Sequence, residues 1–149
     1  MSDVAEIRRQ VGVWLNEIFS SVITREPDGI LDFGIPGVGS TAVFVGVRKF
    51  GDEITAVTVT APVLVGVAIT DDLFNFLGRN SGSYIIGRFS VMNPETSAIL
   101  ASCLVFEHSV LGEHLTKDEL LLLCSVIGHT ADEVDDSFKL AFGGELFTS

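Results

Sequence analysis

Two cysteines, one tryptophan, one tyrosine and nine cationic side chains in 149 residues leave several functions without material. Cys103 and Cys124 fall on a predicted strand and a predicted helix, both in apolar surroundings. A disulfide framework is therefore not expected, and both read as buried free thiols packing as small hydrophobes. Nine Lys and Arg against 20 Asp and Glu give a net charge of −11. Nucleic-acid phosphates demand cations, so no nucleic-acid partner is expected. The surplus is uneven: from Glu107 to Ser149 there are nine acidic and two basic residues, Lys117 and Lys139. Such a face favours solubility and repels polyanions and anionic membranes; it also offers to steer a basic client. The hydrophobic share is 47% and the mean hydropathy +0.47, yet no apolar run reaches the ~18–20 residues needed to cross a bilayer. No membrane partner is expected. The segment Met1-Ser2-Asp3-Val4-Ala5-Glu6 is acidic and polar, without the basic start and apolar stretch of a secretory signal, so a cytoplasmic location is the expectation.

Catalytic material is also scarce. The three histidines, His108, His114 and His129, have no HExxH or CxxC context, and no metal or cofactor site is expected around them. Gly34-Ile35-Pro36-Gly37-Val38-Gly39 resembles a phosphate loop, but it opens no helix and carries no Gly-Lys-Ser/Thr, which makes it a connection between strands. Asp132, Glu133, Asp135 and Asp136 fan around a helix instead of converging from a loop, as a hard cation would require. No serine sits in a Gly-x-Ser-x-Gly elbow. Arg79 and Arg88 either clamp a client carboxylate or form surface salt bridges. The expectation is a protein without catalytic residues.

The chain reads as one domain over residues 1–149. Asp3 and Glu6 form a capping-box-like start to a helix extending to Val22, with Val4, Ile7, Val11, Trp14, Leu15, Ile18 and Val22 on one stripe. Turn chemistry at Glu26-Pro27-Asp28-Gly29 precedes a short strand, Ile30 to Ile35. A second strand spans Ser40 to Phe50, and a tight turn at Gly51-Asp52 leads to a third from Glu53 to Val67. Pro62 requires that strand to bulge or to lie at an edge. Thr70 caps a short helix with Asp71 and Asp72 in its first turn. Strands from Ser83 to Met92 and from Thr96 to Glu107 follow, joined by Asn93-Pro94-Glu95. Thr116-Lys117-Asp118-Glu119 opens a long final helix closed by Gly143-Gly144. The fold class is thus α+β, an antiparallel five-stranded sheet packed against N- and C-terminal helices in the order α-β-β-β-α-β-β-α.

Both strand faces carry apolar residues: Val43, Val45 and Val47 against Ala42, Phe44 and Phe50, for example. Two long helices cover one face of such a sheet, and the short helix cannot cover all of the other. At roughly 25 cal/mol per Å² an apolar face favours cover by a second subunit, a peptide, or both.

The order of elements, with Asn80 and Gly87-Arg88-Phe89 at the fourth strand, Leu115-Thr116-Lys117-Asp118-Glu119-Leu120 and Ala131-Asp132 on the final helix, and Phe142-Gly143 at its end, resembles the YbjN-like and type III secretion chaperone-like proteins. The resemblance runs from Asp3 to Gly144. It implies homodimers that hold client segments in extended form, without ATP. One departure is the third strand, longer and more broken at Pro62 and Gly66, so the client surface is not carried over residue by residue. The reading is a peptide- or protein-binding homodimer using strand residues Val43, Val45, Val47, Val57 and Val59, with Tyr84 and Ile86, toward an unknown client. Apolar pockets would supply affinity and strand edges backbone hydrogen bonds; plain core packing is the competing reading of the valines. The alternative function is small-molecule binding, or a regulatory or scaffolding role without chaperone activity.

Overall fold

The structure, a computed structural model, describes residues 3–38, 41–92 and 102–147. Its order is α1 (Val4–Ile18), β1 (Ile23–Thr24), β2 (Phe33–Val38), β3 (Thr41–Phe50), β4 (Ile54–Val65), α2 (Asp71–Asn80), β5 (Arg88–Val91), β6 (Leu104–Leu111), α3 (Lys117–Phe142) and β7 (Glu145–Leu146). The described strands form one antiparallel sheet in the order β1-β2-β3-β4-β6-β5, and β7 pairs with β4. The α+β class and the five longer strands match the sequence reading; the sheet has seven strands because two-residue strands at Ile23–Thr24 and Glu145–Leu146 join it.

Local chemistry explains most boundaries. Asp3 accepts from the Glu6 amide at 3.1 Å and starts α1, and Thr70 and Thr116 do the same for α2 and α3. The first helix ends at Ile18, short of Val22, because Val22-Ile23-Thr24 is a β-branched run that pairs with β2. The first long strand begins at Phe33, not Ile30: the Asp28 carboxylate accepts from the Ile30 and Leu31 amides at 2.7 and 2.6 Å and holds that stretch as a turn. It then runs through Pro36 to Val38, with a register shift at Gly37, whose φ is +80°. Pro62 lies opposite Val105 on β6, at a register shift between Pro62 and Leu64, the irregularity that a proline in the strand requires. Regular pairing before β6 is limited to Arg88–Val91, and the expected turn Asn93-Pro94-Glu95 and the strand start at Thr96 lie outside the described residues; β6 extends to Leu111.

The core lies between the sheet and the helices α1 and α3. Val11 and Leu15 of α1, and Leu120, Cys124, Ile127 and Ala131 of α3, meet Val43, Val45, Val47, Val57, Val59, Ala61 and Val63. Gly128 sets the spacing, since a Cβ there would fall 2.5 Å from Val38 Cγ1. At one end Phe76, Phe89, Phe106, Phe138 and Phe142 interlock with ring centroids 4.7–5.9 Å apart. Among the described residues the opposite sheet face is only partly covered, by a smaller cluster of Leu31, Ala42, Phe44, Met92, Cys103 and Val105, with Phe147 edge-on to Phe44.

Candidate functional site

The outward side of α1 and the neighbouring sheet edge form a shallow groove of about 760 Å³. Gly12 and Val13 of α1, Thr24 of β1 and Phe33 of β2 give it a mainly apolar lining, with Arg8 and Arg9 beside it. Gly12 is the residue that makes this shape. A Cβ there would meet the Phe33 ring at 3.0 Å, so the bare helix backbone sits directly over the aromatic floor. The strand beside the groove, β1, is outermost in the sheet and pairs only with β2 among the described strands. An open strand edge next to an apolar trough is able to bind an extended chain twice over, through backbone hydrogen bonds and through alternate side chains.

Arg8 and Asp32 hold this wall in place. The Asp32 carboxylate is buried and accepts four hydrogen bonds: Oδ1 from the Asp28 and Gly29 amides at 2.8 and 2.9 Å, Oδ2 from the Val47 amide at 2.9 Å and from Arg8 Nε at 3.2 Å. Arg8 Nη2 also donates to the Val47 carbonyl at 2.8 Å. One carboxylate thereby joins α1, the turn before β2 and strand β3. Gly46 lets that turn cross β3, since a Cβ there would lie 2.2 Å from the Gly29 carbonyl oxygen. Nearer the solvent, Arg9 pairs with Glu6 at 2.6 Å, lowering the Glu6 pKa and raising that of Arg9 through their hydrogen bond. Lys117 pairs with Glu17 at 2.6 Å and ties α3 to α1.

The residues singled out from the sequence separate into two groups. Val43, Val45, Val47, Val57 and Val59 come together, but each has 0% exposure and they sit under the helices as core. Their side of the sheet is the one that α1 and α3 cover, which leaves no surface there for a client. Tyr84 is 38% exposed and packs edge-on against Phe89 and Phe106, while Ile86 is half-buried against the same core. The groove residues were missed because Gly12 and Val13 interrupt no pattern in the helix, and the edge strand beside them exists only through its pairing with β2.

The remaining chemistry is structural. His108 Nδ1 accepts from the Gly87 amide at 3.1 Å, and His114 and His129 are exposed. Burial pushes the thiol pKa of Cys103 up to about 11 and that of Cys124 to about 12. Arg88 pairs with Glu107 at 3.3 Å, the salt-bridge reading of that residue. No group of three or more His, Cys, Asp or Glu among the described residues is placed to hold a metal ion. No helix among them is long and apolar enough to cross a membrane.

The phrases that carried the resemblance acquire physical roles. Gly87 has φ +94°, and a Cβ there would fall 2.4 Å from the Phe106 ring, so glycine is required before Phe89 enters the aromatic cluster. Gly143 and Gly144, at φ +77° and +80°, turn the chain after Phe142 so that β7 reaches β4. Comparison with known families matches residues 5–149 to the family described as T3SS (YopN, CesT) and YbjN peptide-binding chaperone 1. No curated protein matches the chain.

Proposed function

This chain belongs to that family of peptide-binding chaperones, and from that premise we propose that it holds an extended segment of a client polypeptide in the groove between α1 and the β1–β2 edge, as a homodimer and without catalysis. The observation that carries the reading is the juxtaposition of the apolar trough over Phe33 with an open strand edge. An extended segment presents alternate side chains to the trough and its backbone to the edge, a mode that tolerates varied sequences. The homodimer rests on a second feature. Phe50, Ile54 and Leu111 are 71%, 38% and 55% exposed, and the registers put all three at one end of the sheet face that the helices leave open. A second copy would cover them. The working compartment in this reading is the cytoplasm.

Selection from a random peptide library tests the groove. Binders with apolar residues at alternate positions are expected, and Val13→Asp, at an exposed helix position, should weaken them by about tenfold or more, ~1.4 kcal/mol. No enrichment, or enriched peptides indifferent to Val13→Asp, would overturn it. Light scattering tests the dimer: twice the chain mass of 16.0 kDa is expected, reduced to the single-chain value by Leu111→Asp.

A further inference from the structure

A second cavity, of about 360 Å³, opens on the sheet face away from α1 and α3. Thr58 and Thr60 of β4 line its floor, Arg48 of β3 and Glu107 of β6 stand on either side, and Ser90 and Met92 form another wall. The registers separate the two charges. Arg48 lies opposite Ala56 and Glu107 opposite Thr60, which places them about 13 Å apart along β4 and about 10 Å apart across it. Direct pairing is thereby prevented, and among the described residues the Arg48 guanidinium has no hydrogen-bond or ion-pair partner.

Two further groups are incompletely used. Thr60 has 0% exposure, points by its register to this face, and its Oγ1 has no hydrogen-bond partner among the described residues. A buried hydroxyl left unpaired costs free energy and asks for a reason. Glu107 Oε1 accepts from Ser90 Oγ at 3.0 Å and from Arg88 Nη2 at 3.3 Å, while its second oxygen accepts from nothing among the described residues. The cavity thus offers a free cation at one end, a carboxylate with spare acceptor capacity at the other and an unpaired hydroxyl on the floor.

We propose that this cavity binds a small zwitterion of the amino-acid class, a free amino acid or a dipeptide, with its carboxylate on Arg48, its ammonium on Glu107 and a polar atom on Thr60 Oγ1. The volume lies at the lower end of the ~300–1,000 Å³ of ligand pockets, too small for a nucleotide. A plain anion would meet Glu107 and an acidic surface, and a plain cation would meet Arg48. A dipeptide, ~7 Å long at ~3.3–3.6 Å per residue, spans the interval left once both side chains reach inward. The site is separate from the groove along α1 and stands whether or not that groove takes a client.

Calorimetric titration of the whole protein with glycylglycine, and then with each of the common free amino acids to millimolar concentration, tests the assignment. Saturable binding of at least one is expected. It should weaken about tenfold or more in Arg48→Met and in Glu107→Gln, and vanish for the N-acetylated or C-amidated form of the same ligand. Thr60→Val keeps the shape and removes only the hydroxyl, so it should also weaken binding and serves if Glu107→Gln fails to fold. Flat titrations across the panel, or binding that none of the three variants changes, overturn the proposal.

Discussion

Replacing Asp32 by Asn removes one charge and changes no volume, yet it should be among the most damaging single substitutions on this chain. The carboxylate faces donors only: three backbone amides and Arg8 Nε. An asparagine can keep its carbonyl oxygen toward Asp28 and Gly29, but its NH₂ then faces the Val47 amide and the Arg8 guanidinium, donor against donor. Two hydrogen bonds to a charged acceptor are lost, each worth ~1.5–3 kcal/mol, giving about 3–6 kcal/mol of destabilisation. Against a total of ~5–15 kcal/mol for an ordinary domain, that is a large share.

Trp14, the only tryptophan, lies on α1 and packs against the core, so its fluorescence during urea unfolding reports on the wall that Asp32 holds. The midpoint should fall with little change in slope. Arg8→Met separates the ion pair from the turn, and the double variant should show a coupling of about 1 kcal/mol or more, since the two side chains touch. A loss below ~1 kcal/mol for Asp32→Asn would refute the reasoning, because it would mean that the four donors find water as readily as the carboxylate.

Gly87→Ala should cost about 2–4 kcal/mol in the same urea assay, from a Cβ 2.4 Å from the Phe106 ring at φ +94°; an unchanged midpoint would show that the aromatic cluster shifts freely. The two thiols should be inert toward a thiol reagent at neutral pH and both react in denaturant, because burial raises them from 9.0 to about 11 and about 12. The sign follows from the raised folded values: unfolding releases thiol protons above pH 9, so their contribution to stability is complete below pH 9 and is lost as pH climbs toward 11–12. A thiol variant such as Cys124→Ala should flatten that part of the thermal unfolding profile, and identical profiles would count against burial as the cause. Val45→Asp should yield no folded protein by circular dichroism, as it buries a charge at a fully enclosed position.

The helices were legible because their signals are local. Asp3, Thr70 and Thr116 each announce an N-cap within three residues of their partner amide, and Gly143 closes α3. The two short strands were not legible, since a two-residue strand exists only through its partner: Ile23–Thr24 needs Phe33–Gly34, and Glu145–Leu146 needs Leu64–Val65. Asp32 was invisible for the same reason. Its donors lie 3, 4, 15 and 24 residues away, and nothing in the local spelling Leu31-Asp32-Phe33 distinguishes a buried acceptor from a surface acid.

Helix length made it legible that one face of the sheet is sealed, but not on which side the short helix packs. A 26-residue α3 spans ~39 Å at 1.5 Å per residue, about the ~40 Å length of the 12-residue β4, and α1 lies alongside on the same face. The 10-residue α2 packs on that same face, with Leu73 in its core and Phe76 against Phe138 and Phe142 of α3, so among the described residues no helix covers the other face. On β4 the alternation Val57-Thr58-Val59-Thr60 then assigns the sides, because a face sealed by helices favours valine and a face near solvent tolerates threonine. The threonines, not the valines, are the residues to follow toward a binding surface. Followed across the sheet, they lead to Glu107 beside Thr60, to Arg48 and Leu111 on either side of Ala56, and on to the uncovered Phe50 and Ile54.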